Sequence, residues 1–203
     1  MKKKCGINGN NKEMFYKFLK RSFDIVFSII LFILFIPLWT IIPVLIKLDS
    51  PGRIIFPQKR VGIDSNYFTI YKFRTMKEGT PDIPTDELCN QEKLNTRIGT
   101  FLRRSSLDEI PQLVNILKGD MSFVGPRPAL YNQPLLIKLR KENGVDRVKP
   151  GVTGLAQISG RDDLPIPKKV EYDSLYVKNA SIILDLKIFF LTVKAALTGK
   201  GVN

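Results

Sequence analysis

The run IVFSIILFILFIPLWTIIPVLI, residues 25–46, contains no charged side chain. A helix that crosses a bilayer needs about 20 apolar residues, so this run has the length and composition of a membrane segment. Pro37 lies near its middle, where it removes a backbone donor and clashes with the preceding turn, which predicts a break in the helix. At about 1.5 Å per residue, neither half alone would reach across a hydrocarbon core of about 30 Å.

Both flanks of this run are basic. Before it stand Lys12, Lys17, Lys20 and Arg21, and after it Lys47, Arg53, Lys59 and Arg60. Positive residues favour the cytoplasmic side of a membrane, so both ends of the run are expected on that side. The charges and Pro37 together predict a re-entrant helix–break–helix that enters and leaves through one face. A kinked spanning helix stays open, because spanning helices tolerate proline. A cleaved signal peptide is disfavoured, since no small-residue cleavage site follows.

A second apolar pattern lies near the C-terminus, in ASIILDLKIFFLTVKAALTG, residues 180–199. Its apolar residues recur mostly at steps of three and four, as on one face of a helix. They are Ile182, Leu186, Phe189, Phe190, Val193 and Leu197, with Asp185, Thr192 and Lys194 between them. Two interpretations stay open: a helix whose apolar face packs on the core, and an amphipathic helix lying in the membrane interface.

The composition excludes several kinds of site. The 203 residues include 32 Lys or Arg and 19 Asp or Glu, a net charge of +13, which favours polyanionic partners: nucleic acid, anionic lipid or phosphorylated substrates. Histidine is absent, so acid–base chemistry falls to Asp, Glu, Lys or Tyr, and no imidazole can bind a metal. Cys5 and Cys89 form no CxxC motif, which disfavours a zinc site or a disulfide framework.

The middle of the chain has a mixed pattern. Residues 53–56 and 67–73 are short and rich in β-forming side chains, and a stretch with Gly, Asp, Ser and Asn separates them, which predicts a β-hairpin. Residues 94–119 have a mostly helical pattern that ends at Gly119. We therefore predict an α+β fold, mostly helical with a small β-hairpin, an N-terminal re-entrant helix–break–helix in residues 1–47, interfacial amphipathic helices, and a cytosolic-face domain in residues 48–203.

Two adjacent acids, Asp108 and Glu109, stand in RRSSLDEIPQL, residues 103–113. Ser106 and Glu109 have the spacing of a capping box, and acids in a first turn suit the helix dipole, so a helix start is the ordinary explanation. The surroundings favour chemistry instead. Phosphate-handling sites combine carboxylates, which hold a divalent ion or attack phosphorus, with cations that neutralise oxygens. Cations stand in the glycine- or proline-bearing segments nearby: Lys72, Arg74, Arg103, Arg104, Arg127 and Arg161.

Four motifs identify a family resemblance: YKFRTM (71–76), RRSSLDEIPQLVNILKGDMSFVGPRP (103–128), KPGVTGLAQISGR (149–161) and YVKNASIILDLKI (176–188). They resemble the bacterial sugar transferases and, more narrowly, the small monotopic polyprenol-phosphate phosphoglycosyl transferases. The resemblance extends over residues 17–197. It implies a minimal catalytic form, without the additional N-terminal multi-helix region of larger members.

The resemblance implies transfer of a phospho-sugar from a UDP-sugar to undecaprenyl phosphate, with release of UMP, at the cytoplasmic face of the bacterial inner membrane. Such a reaction is the first membrane step of surface glycan assembly. The resemblance also implies that Asp108 is the nucleophile that forms an aspartyl-phosphosugar, and that Glu109, with Asp108, binds Mg²⁺. Lys72, Arg103 and Arg127 would contact phosphate, while Gln157 and Arg161 would shape the donor site.

The resemblance also has gaps. The family has a small polar residue before the proline of its membrane hairpin, whereas this chain has Ile36. Lys149, Leu155 and Ser159 also depart from the family pattern, which leaves the transferred sugar open. Membrane lipid is an expected partner, nucleic acid is not, and homo-oligomerisation stays open.

Three rival interpretations make different predictions. A nucleic-acid-binding protein would suit the charge, but no recognition motif is visible and the apolar run argues against it. A membrane-anchored scaffold without activity would not need Asp108 or Glu109. A glycosyl transferase that moves sugar without phosphate would release UDP, whereas a phosphoglycosyl transferase releases UMP.

Overall fold

A computed structural model describes residues 7–81, 94–160 and 164–198 of the chain. Two helices come first, α1 (Ile7–Leu34) and α2 (Ile36–Asp49), and they are bent by 62° relative to each other at a break between them. In the described part of the chain no single helix is both long and apolar enough to cross a membrane. The bent pair passes that test of length and composition only when its two helices are taken together.

The predicted break is present, but it lies at Phe35 and not at Pro37. Pro37 stands in the first turn of α2, where its missing N–H has no intrahelical acceptor and its fixed φ suits a helix start. Helix α1 therefore ends before the proline, because Pro37 lies in the first turn of helix α2. Pro43 lies inside α2 without ending it.

The predicted β-hairpin is confirmed, with a longer first strand. β1 (Ile55–Val61) pairs antiparallel with β2 (Tyr67–Phe73), so that Phe56 lies opposite Lys72. The prediction ended the first strand at Phe56 because a polar stretch follows. In the fold this stretch is supported by side-chain contacts: the Lys59 ammonium lies 4.1 Å from the centre of the Tyr67 ring.

The remaining elements surround a short parallel strand pair. They are α3 (Arg97–Arg104), α4 (Gln112–Lys118), β3 (Ser122–Val124), α5 (Pro134–Glu142), β4 (Gly151–Thr153), α6 (Leu155–Gly160), α7 (Ile166–Asn179) and α8 (Ile182–Thr198). Strand β3 pairs with β4. Gly119 ends α4 with a φ of 93°, a left-handed conformation that suits glycine, as the sequence predicted.

One apolar core joins the bent helix pair to the rest of the chain. Ile42 and Ile46 of α2 lie in the same buried cluster as Phe73 and Ile116. The hydrophobic contact between these segments fixes where the bent pair sits relative to the strands and helices that follow. The division at residue 47 stays a prediction.

Helix α8 does not bury the apolar stripe that its sequence displays. Leu186, Phe190 and Val193 of that stripe are exposed, whereas Asp185 and Ile188 are buried. The interpretation of this stripe as core-facing is therefore wrong for these residues. A buried carboxylate is tolerated when hydrogen-bonded, and Asp185 accepts hydrogen bonds from three side chains, those of Tyr16, Lys20 and Tyr176.

Gly99 gives a stability prediction for the packing of α3. A Cβ at this position would stand 2.7 Å or less from backbone atoms of Thr75, which cannot move aside cheaply. We expect Gly99→Ala to destabilise the protein by about 2 kcal/mol, as overpacking does. Melting of the detergent-solubilised protein measures this. Gly62→Ala is the control, because its Cβ would meet the Phe68 ring at 3.1 Å and the Asn66 backbone oxygen only at 3.5 Å, an ordinary contact distance. Equal melting temperatures for the two variants would contradict the packing of α3.

Candidate active site

The two acids lie in a short 3₁₀ turn, Leu107–Glu109, between α3 and α4. Ser106 precedes the turn in a left-handed conformation, with a φ of 56°, and its side chain makes no capping hydrogen bond. The Glu109 amide donates to the backbone oxygen of Ser106, while the Glu109 carboxylate bonds to cations elsewhere. The capping-box explanation is therefore wrong for these side chains, which leaves both carboxylates free for other roles.

Glu109 is the centre of a cationic cluster. Its Oε1 accepts hydrogen bonds from Lys72 Nζ and Arg127 Nη2, each at 2.9 Å. Burial by itself would raise the pKa of Glu109, but the charges and hydrogen bonds of Lys72 and Arg127 outweigh it. They hold the pKa well below its usual range. Glu109 is therefore a permanent anion that fixes two cations.

Asp108 has a different environment from its neighbour. It is 8% exposed, and its carboxylate has no hydrogen-bond partner among the described residues. Burial raises the pKa of Asp108 to about 6, against the charge of Lys72 and with the help of the charge of Glu109. A desolvated carboxylate without hydrogen bonds is a better nucleophile than a solvated one, so the geometry suits covalent chemistry at Asp108.

The structure brings together most of the predicted site residues. Lys72 and Arg127 bind Glu109 directly, and Arg103 is near enough for its charge to lower the pKa of Asp108. Gln157 lies against Gly154, and both its amide atoms are buried without a partner in the described part of the chain. Its donor-site role stays a prediction. Arg161 lies outside the described residues.

Sequence analysis missed the residues that hold Arg127. The backbone oxygen of Arg127 accepts a hydrogen bond from Arg140 Nη1 at 2.7 Å, and Arg140 is itself bound by the buried Asp173 carboxylate. The next residue, Pro128, is held as well, because Arg60 Nη1 donates to its backbone oxygen at 2.9 Å. The distance in sequence between these residues hides the contact, and no local pattern could have found it.

Asn115 was missed as well, although the sequence gives a signal. It is fully buried in α4, where its amide nitrogen donates to Thr69 O at 2.7 Å and its amide oxygen accepts from Tyr71 N at 3.1 Å. These bonds fasten α4 to β2 next to Lys72. A polar residue in the middle of an apolar helix predicts such a buried partner.

The acid pair fits a magnesium ion only together with a substrate. Mg²⁺ prefers carboxylate oxygens and is usually held by one or two of them plus substrate phosphates. Asp108 and Glu109 supply two adjacent carboxylates. Within residues 7–81, 94–160 and 164–198 there is no cluster of three or more side chains suited to hold a metal. The donor set therefore suits an ion shared with a diphosphate.

Fold and site define a class before any comparison: a chain with a bent apolar helix pair, carrying a buried carboxylate beside a second carboxylate that is bound by two cations. The chain belongs to the family described as bacterial sugar transferase, whose model matches residues 15–199.

Curated relatives extend over nearly the whole chain. It is 39% identical over 192 residues to the UDP-glucose:undecaprenyl-phosphate glucose-1-phosphate transferase of Escherichia coli K12, covering 91% of this chain and 41% of that protein. It is 44% identical over 187 residues to the uncharacterized sugar transferase EpsL of Bacillus subtilis, covering 91% of this chain and 90% of that protein. It is 38% identical over 213 residues to the undecaprenyl-phosphate galactose phosphotransferase of Salmonella typhimurium, covering 96% and 44%. The chain thus spans about two-fifths of the E. coli and Salmonella proteins.

Proposed function

We propose that this chain is a phosphoglycosyl transferase that moves a phospho-sugar from a UDP-sugar to undecaprenyl phosphate. The observation that carries the proposal is the contrast between the two acids. The Asp108 carboxyl is buried and has no hydrogen-bond partner in the described part of the chain, whereas Glu109 is bound by Lys72 and Arg127. The names of the E. coli and Salmonella relatives support the acceptor and the reaction type.

In the first half-reaction, an oxygen of the Asp108 carboxylate attacks the sugar-bearing β-phosphorus of the donor. The bond between that phosphorus and the bridging oxygen breaks, and UMP leaves with the oxygen. An acyl phosphate joins Asp108 to the sugar. In the second half-reaction, a phosphate oxygen of the acceptor attacks the same phosphorus and the acyl bond breaks. Polyprenyl-diphosphate sugar is formed and the Asp108 carboxylate is restored.

The cations around the acids make this attack feasible. A carboxylate that approaches a diphosphate meets repulsion between anions, so fixed positive charges must offset it. Lys72 and Arg127 are already oriented by Glu109, which means they need little reorganisation when the donor binds. Asp108 and Glu109 would hold Mg²⁺ together with donor phosphates, and the bound ion would polarise those phosphates as a Lewis acid.

The acceptor also requires a site at membrane depth. The bent pair α1–α2 and the exposed apolar residues of α8 supply apolar surface on the same molecule. A re-entrant pair inserted from the cytoplasmic face of the inner membrane, with α8 in the interface, would keep the acids level with the phosphate of undecaprenyl phosphate while its tail stays in lipid.

Labelling tests this topology. We expect single cysteines at Lys12 and Lys59 to react with an impermeant reagent only after cells are permeabilised, because both flanks lie on the cytoplasmic side. The variants Lys12→Cys and Lys59→Cys are compared in intact and permeabilised cells, with Cys5 and Cys89 replaced. Opposite accessibility of the two positions would mean a spanning helix and overturn the re-entrant topology.

The pH profile of the first half-reaction follows from Asp108. The attacking form is the carboxylate, and its pKa is raised to about 6, so the reactive form is lost as the pH falls through this value. Bound Mg²⁺ and donor would lower the pKa of Asp108, so the free enzyme is followed through the rate constant of UMP release at limiting donor, without acceptor. We expect this rate constant to be near its maximum above pH 7 and to fall about tenfold per unit well below pH 6. Omitting the acceptor removes the titration of its phosphate monoester. A midpoint near the ordinary value of aspartate, about 4, would show that burial does not act on the nucleophile.

A donor panel tests the reaction itself. Purified protein, Mg²⁺ and separate UDP-sugars are mixed without polyprenol phosphate, and UMP release is measured together with the mass of the peptide that contains Asp108. An adduct equal to phospho-sugar is expected with the true donor, and the reactive sugar names it. Release of UDP would instead indicate a transferase that moves sugar without phosphate. Silence with all donors, with and without acceptor, would reject the proposed function.

A further inference from the structure

Helix α1 carries two charged residues, Arg21 and Asp24, about one turn apart. They hydrogen-bond to two different segments near the site, the end of α4 and strand β3. Arg21 is half-buried and Asp24 is 2% exposed, and both stand where the apolar run begins. Residues three apart share one face of a helix, so the two side chains leave α1 on the same side. Burial of two charged groups demands partners, and the partners lie in different segments.

Arg21 binds the end of the helix that follows the acids. Its Nη1 donates to Ile116 O at 2.6 Å and its Nη2 donates to Leu117 O at 2.7 Å. These carbonyls belong to the last turn of α4, where backbone acceptors outnumber backbone donors and a positive charge suits the helix dipole. Helix α4 begins three residues after Glu109, so Arg21 holds the helix that directly follows the acids.

Asp24 binds the strand that leads to Arg127. Its Oδ1 accepts hydrogen bonds from Ser122 Oγ at 3.0 Å and from the Phe123 amide at 3.1 Å. Strand β3 ends at Val124, three residues before Arg127. Because the strand is short and Asp24 is buried, a shift of α1 would move the strand and the arginine together.

The second leg of the bent pair is attached in the same manner. Asp49, the last residue of α2, accepts the Ile98 amide at 2.9 Å at the start of α3, the helix that carries Arg103. Arg74, two residues after Lys72, donates to Ser50 O at 2.7 Å. The segments that bear Lys72 and Arg103 are therefore also hydrogen-bonded to the bent pair or to the residue next to it.

We propose that Arg21 and Asp24 are positioning residues for the transfer reaction. They set the separation of the acid pair from Arg127 and so make the rate of phosphosugar transfer depend on how α1 is seated. This inference rests on the proposed function. The physical reason is that the contacts in the site depend steeply on distance. Arg127 lies 2.9 Å from Glu109, and a displacement of about 1 Å in such a site can cost about a hundredfold in rate.

The test compares variants that remove one attachment each. Asp24→Leu replaces the carboxylate, which accepts both hydrogen bonds, with an apolar group of similar shape. Asp24→Asn keeps an oxygen acceptor in the same place. Arg21→Met removes the hydrogen bonds to α4 and leaves Asp24 intact, so it still tests the proposal if Asp24→Leu does not fold. Lys17→Met is the matched control, because Lys17 is an exposed cation on the same helix and pairs only with Glu13 among the described residues.

Two readouts separate positioning from folding. Single-turnover UMP release by the full-length protein in lipid nanodiscs gives a rate constant and a burst amplitude. Hydrogen–deuterium exchange gives local protection without needing activity. We expect Asp24→Leu and Arg21→Met to lower the rate constant about 10- to 100-fold at full amplitude, with the KM for donor little changed. Asp24→Asn and Lys17→Met should stay within about threefold of wild type.

Exchange should be local if the inference holds. Asp24→Leu should speed exchange around Phe123 and leave α4 protected, whereas Arg21→Met should speed exchange at Gly119 and leave β3 protected. A loss of amplitude at unchanged rate constant, or wild-type behaviour of both variants, would overturn the positioning role. If wild-type protein releases no UMP from any donor while the exchange changes occur, the proposed function fails and only the structural attachment stands.

Discussion

Asp108→Asn is expected to lower UMP release and adduct formation by at least about a thousandfold while making the folded protein more stable. The amide is the same size as the carboxylate but is not a nucleophile, so no acyl phosphate can form. Burst amplitude and the mass of the peptide containing residue 108 measure the loss. Binding of the donor, measured by calorimetry, should change far less than the rate.

The gain in stability follows from the pKa of the same group. A carboxyl whose pKa is raised from 3.8 to about 6 on folding costs stability whenever it is ionised, above about pH 6. Two pKa units correspond to about 3 kcal/mol, an upper bound for what Asp108→Asn can recover at pH 7. We expect a rise of a few degrees in melting temperature, which shrinks as the pH falls from 6 and disappears only well below 3.8, where the wild-type carboxyl is protonated in both states. A variant that is inactive and less stable at pH 7 would contradict the burial of Asp108.

Glu109→Gln is expected to have the opposite effect on stability and also to impair transfer. Lys72 and Arg127 both bind Glu109 Oε1, and the neutral amide would leave their charges uncompensated. Removing one partner of a largely buried ion pair costs about 3 kcal/mol. Because the pKa of Glu109 is held below its usual range, its contribution is present above the ordinary value and is lost only as the pH falls through the lowered one. Transfer should fall by about a hundredfold, since the cations lose their orientation.

The comparison of adjacent acids distinguishes an active site from a helix cap. If both acids served only the helix start, Asn and Gln would keep the capping oxygens, and both substitutions would destabilise alike by only about 0.5 kcal/mol, the loss of the charge–dipole interaction. Glu171→Gln is the control for Glu109→Gln, because Glu171 pairs with Lys168 on an exposed surface and such pairs contribute little. Melting of the three variants at pH 7 decides the question. An equal drop in melting temperature for Asp108→Asn and Glu109→Gln would support the helix-cap explanation for both acids.

Much of the architecture follows from local sequence. The charge-free run around Pro37 predicted a broken apolar helix pair, and two runs of β-forming residues with a turn-forming stretch between them predicted the hairpin. Such patterns depend on neighbours along the chain. Gly119 ended its helix as predicted. The motif containing Asp108 and Glu109 identified the family directly.

Other features of the molecule arise only when distant segments meet. The sequence did not show that the helix break precedes Pro37 or that α8 buries Asp185 and exposes Phe190. In the second case, hydrogen bonds from α1 and α7 offset the cost of burying the Asp185 carboxylate beside the apolar Ile188.

By itself the sequence determined which side chains can act: a pair of acids, a set of cations and no histidine. Tertiary structure decided their separate roles. Asp108 and Glu109 are neighbours in the chain, yet only Glu109 meets Lys72 and Arg127, contributed by segments 37 and 18 residues away. Desolvation and Coulomb forces depend on distance in space, and so one acid keeps a raised pKa while the other is held as a permanent anion.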